Sequence, residues 1–273
     1  MTTRTLFRTL ALTAAFGLAV TACGSADKSD DKTGSDSAPK VDTISSGTLT
    51  VCSDVPYPPF EDFDKSAASG YKGFDVDVIS EIAKRLDLKL AIVDSDFDAL
   101  QSGLLFNTNK CDLGASAMTI TPERAKKILF SDGYYDSEQS LLVGADSSIK
   151  SISDLKGVKV GVQKGTTGET YTKENAPDAD AIQFSDDGKM YLALKAGQID
   201  AILQDLPVNL DHQNDPKQAG KWKVVETYKT DESYGFGAKK DNTQLMDEVN
   251  KELAAMKSDG TYKTIYDKYF ATS

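Results

Sequence analysis

Past residue 47 the chain alternates two hydrophobic periods. "TLTVCSD" and "LKLAIV" are short apolar runs of strand type, and between them "DVDVISEIAKRL" sets Val76, Ile79, Ala83 and Leu86 along one helical face. "CDLGASAMTI" reads as another short strand. The punctuation then restarts. "SISDLKGVKVGVQKGTTG" gives a turn, a strand and a glycine-rich loop, followed by the strand "ADAIQF", the helix "GKMYLALKAG" and the strand "QIDAILQD". Strands alternating with helices predict an α/β protein with mostly parallel sheets flanked by helices, and the restart predicts two lobes. "QSLLVGA" and "YGFGAKK" read as two strands crossing between the lobes, and Gly144, Gly235 and Gly237 as residues able to absorb a hinge motion. Residues 243 to 270 read as helical, with Leu245, Val249, Leu253 and Met256 on one face, returning to the first lobe. The expected division is lobe 1 at 48–142 plus 236–273 and lobe 2 at 143–235.

The first 23 residues are a different polymer. Arg4 and Arg8 precede the apolar run "LALTAAFGLAV", and small residues follow, the pattern of a secretion signal too short to span a membrane as a mature helix. The stretch ends in Val20-Thr21-Ala22-Cys23, which resembles the bacterial lipobox. That resemblance implies a signal peptide at 1–22 and lipid on Cys23, tethering the mature protein to the outer face of the cell membrane. Residues 24 to 47 hold Gly, Ser, Asp, Lys and Thr with almost no large apolar side chain, so a flexible linker is expected over 23–47. An extracytoplasmic location permits a disulfide between Cys52 and Cys111, which is in reach if their strands are sheet neighbours; two buried thiols are the alternative.

Composition removes several classes. Among 273 residues the formal net charge is -11 with lysines scattered, which argues against a nucleic-acid partner. His212 is the lone histidine, so a multi-histidine metal site is excluded and a Ser-His-Asp triad could run only through it. Loop formers surround it in "NLDHQNDPK", and it reads as a surface residue. No cofactor and no metal are expected.

"MTITPER" carries the first chemical clue. Thr121 suits a helix N-cap and Pro122 the first helical position, yet Arg124 stands where a capping box would place Glu or Gln. A cation at that end of a helix is unfavourable by roughly 0.3–1 kcal/mol, so another interaction should favour it. In open α/β sheets ligands bind outside the carboxyl ends of the strands. Those ends here carry Asp54 with Tyr57, Ala117 to Thr119 with Arg124, the "QKGTTG" loop, and Gln204 with Asp205.

The stretches "GTLTVCSDVPYPPFE", "GFDVDVISEIAKRL", "ASAMTITPERAKKILFSDGYY", "LKGVKVGVQKGTTGE", "LKAGQIDAILQD" and "DGTYKTIYDKYF" together resemble the extracytoplasmic solute-binding proteins of polar amino-acid ABC transporters, in order and over essentially all of 47–270. The resemblance implies a type II periplasmic-binding-protein fold, a monomer that closes on its ligand, and a permease as partner. It assigns Arg124 to the α-carboxylate of an amino acid, Asp205 to the ammonium, and Thr166 and Thr167 to carboxylate contacts from lobe 2. Thr119 and the backbone at Ala117 match the lobe 1 contacts, although relatives often carry Ser or Gly at 117. Tyr57 and Phe97 match the aromatic residues that sandwich the ligand's stem. Asp54 is the acid expected to face the ligand's side chain, with Ser116, Gln163 and Gln204 as polar neighbours, which leans toward a cationic amino acid or glutamine. Glutamine-binding relatives tend to carry Lys at 163, and the adjacent Lys164 is a possible substitute. Two rivals remain: a dehydratase-like enzyme on the same scaffold, and a lipoprotein that presents ligand to a membrane receptor.

Overall fold

The structure, a computed structural model, describes residues 41–271. The expected signal peptide, Cys23 and the linker up to residue 40 lie outside the described residues. The linker ends earlier than expected, because Val41 is buried in the core and the Ile44 amide donates to Asp112 Oδ1 at 2.7 Å.

In chain order the elements begin with β1 (Thr48–Ser53), the hairpin β2 (Asp62–Phe63) and β3 (Tyr71–Lys72), α1 (Phe74–Arg85), β4 (Lys89–Asp94), α2 (Phe97–Gln101), α3 (Leu104–Asn107), β5 (Leu113–Gly114), α4 (Pro122–Ala125) and β6 (Ile128–Phe130). There follow β7 (Tyr135–Gly144), β8 (Lys159–Gln163), α5 (Thr167–Asn175), β9 (Asp180–Phe184), α6 (Asp187–Lys195), β10 (Ala201–Asp205), α7 (Leu206–Asn214) and β11 (Trp222–Tyr234). The chain closes with β12 (Gly237–Lys239), α8 (Thr243–Asp259) and α9 (Thr261–Phe270). No described helix is long and apolar enough to cross a membrane.

Two five-stranded sheets form, in the orders β4-β1-β5-β12-β6 and β11-β7-β10-β8-β9. Both are mixed rather than mostly parallel. In the first, β4, β1 and β5 are parallel while β12 runs against β5 and β6; in the second, β10, β8 and β9 are parallel while β7 runs against β10 and β11. The antiparallel members are the strands next to the passages between sheets, which no helical crossover links to their neighbours. Each sheet is covered on both faces. In the first lobe, α1, α8 and α9 bury one core and the segment from α2 to α3 the other, with Cys52 and Cys111 in the second. In the second lobe the two cores lie under α5 and under α6.

Three expectations change. The run "CDLGASAMTI" pairs as a strand only over β5, since Ala117 takes φ of 42° and the chain leaves the sheet there. The helical region 243–270 is two helices, because Gly260 at φ 85° ends α8 and starts α9. The expected lobe limit at 142 falls inside β7, which pairs with the second sheet from Tyr135 to Gly144. The passages lie instead near 131–134 and 235–236, where Ser131 N donates to Phe236 O at 2.9 Å and Tyr134 N to Tyr234 O at 2.9 Å. Gly144 sits far from them, opposite Trp222. Gly235 and Gly237 serve close packing, since an added Cβ would meet Ile120 at 2.9 Å and the Met118 methyl at 2.6 Å.

Cys52 and Cys111 form a disulfide with Cα atoms 5.7 Å apart. His212 is buried rather than on the surface: its Nε2 lies 2.8 Å from Asp187 Oδ2, and its ring stacks on Tyr191 at 3.9 Å. The loop-like sequence around it forms α7, whose buried face carries Val208, Asn209 and His212.

Candidate ligand-binding site

The parallel strands β1, β5, β8 and β10 deliver their carboxyl ends to one small cavity. Every expected binding residue except Gln204 lines it. Gln204 is turned away by the alternation of β10: it follows Leu203 and precedes Asp205, so its side chain falls on the opposite face. There its amide donates to Asp187 Oδ1 at 2.9 Å and to Asn209 Oδ1 at 3.0 Å, within the buried network that includes His212.

Arg124 follows the N-cap of α4, where the Thr121 hydroxyl accepts from the Arg124 amide at 3.2 Å. The helix is a single turn of four residues, so its dipole is small and the cation is weakly opposed. The side chain is 5% exposed. Its Nη1 donates to Thr119 O at 2.8 Å and its Nη2 to Gly165 O at 2.9 Å, so the guanidinium holds a carbonyl from each lobe. It lies 5.1 Å from the centre of the Phe97 ring, which supports the charge. Burial draws the Arg124 pKa down to about 10, against the pull of Asp205 and Glu232, and the group stays charged at neutral pH.

Asp205 receives three hydrogen bonds. Its Oδ2 accepts from Tyr57 at 2.9 Å and from Tyr234 at 2.5 Å, and its Oδ1 accepts from the Gln139 amide. Burial pushes its pKa up to about 7 and the charge of Glu232 adds to this, while the three donors act in the opposite sense. Tyr57 therefore both lines the cavity and joins lobe 1 to lobe 2.

Asp54 is buried in the cavity wall, where Gln163 donates to its Oδ2 at 2.5 Å. Burial raises its pKa to about 8; the Gln163 bond lowers it, and Asp186, Asp94 and Asp96 raise it further. Ser116 fixes the Asp54 backbone by accepting from its amide at 2.9 Å, and gives its own proton to Glu61 at 2.7 Å. The Ala117 amide donates to Asp75 Oδ2 at 2.8 Å, so the strained residue at 117 is held by a buried carboxylate. Lys164 does not enter the cavity; its ammonium pairs with Asp98 at 2.8 Å on the rim.

The threonines are committed within the protein. Thr166 caps α5, accepting from Glu169 N at 3.1 Å, and donates to Gln163 O at 2.8 Å. Thr119 and Thr167 both donate to Glu232, at 3.0 and 3.1 Å. Glu232, Gln139 and Tyr234 bond the polar residues of the cavity and were not among those expected from the sequence. A signal existed for Gln139, which is polar at a position in register with the buried Leu141 and Val143. For Glu232 none was visible, because its placement depends on an irregular pairing of β11.

Two α/β lobes with a charge-complementary cavity built from the strand ends of both define a two-lobed solute-binding protein. The chain belongs to the bacterial extracellular solute-binding proteins, family 3, whose model matches residues 49–272. It is 34% identical over 229 residues to the putative ABC transporter arginine-binding protein 2 of Escherichia coli K12, covering 82% of this chain and 90% of that one. It is 37% identical over 209 residues to the ABC transporter glutamine-binding protein GlnH of Bacillus subtilis 168, covering 75% of each. Among solved structures, an ancestral arginine-binding protein bound to glutamine superposes with a TM-score of 0.76 at 38% identity, over 83% of this chain and 99% of that one.

Proposed function

We propose that this protein binds a polar L-amino acid, cationic or glutamine-like, outside the cytoplasmic membrane, and delivers it to the permease of an ABC transporter by closure of its lobes. The observation that carries the ligand class is the placement of one buried guanidinium and two buried carboxylates, Arg124, Asp205 and Asp54, around a single cavity. The ligand's carboxylate takes the Arg124 fork and its ammonium takes Asp205, so both backbone charges are matched. Asp54 then has Gln163 as its side-chain donor, and a ligand ending in a cation or an amide supplies another. A ligand carboxylate at that place would put two acids together in a dry site, at a heavy cost.

This is a binder's arrangement rather than an enzyme's. Asp205, the acid nearest the ligand backbone, is held by three donors and is needed for the ammonium. In this reading the lobes comprise 41–134 with 235–271, and 135–234; Cys23 carries the lipid anchor, and the monomer is the working unit. Its relatives named for arginine and for glutamine support the ligand class.

A thermal-shift panel of the common amino acids on the full chain tests the reading. L-arginine, L-lysine or L-glutamine at about a thousand times its dissociation constant adds about 4 kcal/mol, which raises the midpoint by about 10 °C. A panel in which L-glutamate gives the largest shift overturns the ligand class, and a flat panel overturns amino-acid binding.

A further inference from the structure

The pairing of β11 with β7 slips between Tyr228 and Glu232, and Asp231 takes φ of 50° in the slipped segment. The slip brings the Glu232 carboxylate onto the wall of the cleft. Its Oε2 accepts the Thr119 hydroxyl of lobe 1 at 3.0 Å and the Thr167 hydroxyl of lobe 2 at 3.1 Å. The Gln139 amide, which also donates to Asp205, lies 3.2 and 3.1 Å from the two Glu232 oxygens. One oxygen of one residue, on a strand that leads between the lobes, thus gathers a donor from each side.

Hydrogen counting gives this arrangement a consequence for recognition. A threonine hydroxyl has one proton to donate. With those of Thr119 and Thr167 given to Glu232, and that of Thr166 given to Gln163 O, none of the three hydroxyls can donate to a ligand. They can accept. Donors left for a ligand carboxylate include the remaining N–H groups of Arg124 and the α5 amides of Thr167 and Gly168, which have no partner within a helix, whereas the Glu169 amide is taken by Thr166 Oγ1.

We propose that Glu232 is a positioning residue of the site: it clasps the two lobes together at the connecting strand, and it turns the Thr119 and Thr167 hydroxyls into acceptors toward the ligand. The second half rests on the amino-acid reading of the cavity; the clasp does not.

The test uses Glu232→Ala and Glu232→Gln in the full chain, with L-arginine and L-argininamide as probes and small-angle scattering without any amino acid. The alanine variant weakens L-arginine about tenfold, chiefly through faster dissociation. The glutamine variant, whose amide oxygen can still accept both hydroxyls, recovers most of the loss. Because the freed hydroxyls can now donate, Glu232→Ala also shifts the ratio of the two affinities toward the carboxylate, a change that loss of packing alone would not produce. Equal or tighter L-arginine binding by Glu232→Ala would mean that Glu232 competes with the ligand, and an unchanged ratio would leave it a packing residue; either overturns the proposal. If the parent protein binds neither probe, the amino-acid reading falls and takes the acceptor role with it. Scattering then decides the clasp: a more expanded Glu232→Ala variant supports it, and superimposable profiles overturn it.

Discussion

The sharpest consequence of the site is a difference in pH dependence between two ligands. Asp54 has a pKa of about 8, raised chiefly by burial, and Asp205 one of about 7, raised by burial and by Glu232. Both must be ionised to hold a dibasic amino acid, one for each cation. An acid whose pKa is raised binds its proton at lower pH, so ligand affinity falls as pH falls. At pH 7 about one Asp54 in eleven is ionised, which costs about 1.4 kcal/mol, or about tenfold in affinity. Between pH 6 and pH 8 the Asp54 step alone is about fiftyfold and the Asp205 step about tenfold, so L-arginine should bind about 500-fold tighter at pH 8. L-glutamine asks for an ionised Asp205 alone and should gain only about tenfold over the same range. Isothermal titration in buffers of different ionisation enthalpy reads both quantities, and at pH 7 should show about 1.4 protons released per L-arginine bound. In Asp54→Asn the L-arginine profile should collapse onto that of L-glutamine. Parallel profiles for the two ligands in the parent protein would refute the pairing of Asp54 with the side-chain cation.

Other parts of the molecule make separate predictions. Arg124→Lys should weaken ligand binding by at least about thirtyfold, because a single ammonium cannot reproduce a fork that holds both lobes' carbonyls and a carboxylate; titration with L-arginine checks it, and a change below threefold would refute it. Removing the Cys52–Cys111 bridge, which spans a sequence separation of 59, should cost about 4 kcal/mol by the chain-entropy relation and lower the melting midpoint by about 10 °C. His212 contributes to stability in the opposite pH sense from the acids. Burial draws its pKa down, but the charge and hydrogen bond of Asp187 outweigh this and leave it raised. The contribution is therefore full below about pH 6.5 and lost as pH rises through the folded-state value. His212→Ala, which leaves the buried Asp187 with the Gln204 amide but no cation, should destabilise by about 3 kcal/mol at pH 5.5 and by less at pH 8.5, as read by urea unfolding.

What could be read from the sequence divides along a physical line. Local period and capping gave β1, α1, β4 and the Thr121 cap, because those depend on neighbours within a turn or two. The residues that line the cavity were legible for a related reason: they sit at or just beyond the ends of strands, where the topology concentrates them whatever the detail of the sheets. Gln204 shows the limit of that rule. A strand end fixes that a residue is near the cleft, and only the alternation of β10 against its true neighbours fixes which side it faces. The parallel expectation failed in the same way, since β7 and β12 are strands by local pattern while their direction depends on the passages between sheets, and β11, which pairs against β7, was not among the expected strands.

The residues that no local signal marks are the ones that decide what the site's donors can do. Asp205 reads as an open partner for an ammonium until Tyr57, Tyr234 and Gln139 are seen to hold it, from positions 148, 29 and 66 residues away in the chain. The threonines read as donors for a carboxylate until their protons are traced to Glu232 and to the Gln163 carbonyl. In both cases the residue that the sequence names does line the cavity, and what its polar atoms can donate or accept is set elsewhere. Arg124 is the exception. A guanidinium has five N–H groups and no accepting capacity, so its two bonds to Thr119 O and Gly165 O leave its role unchanged and still leave donors for an anion. That is why the arginine of "TITPER", the oddity of the sequence, is also the cavity residue whose donor capacity its sequence position conveys most directly.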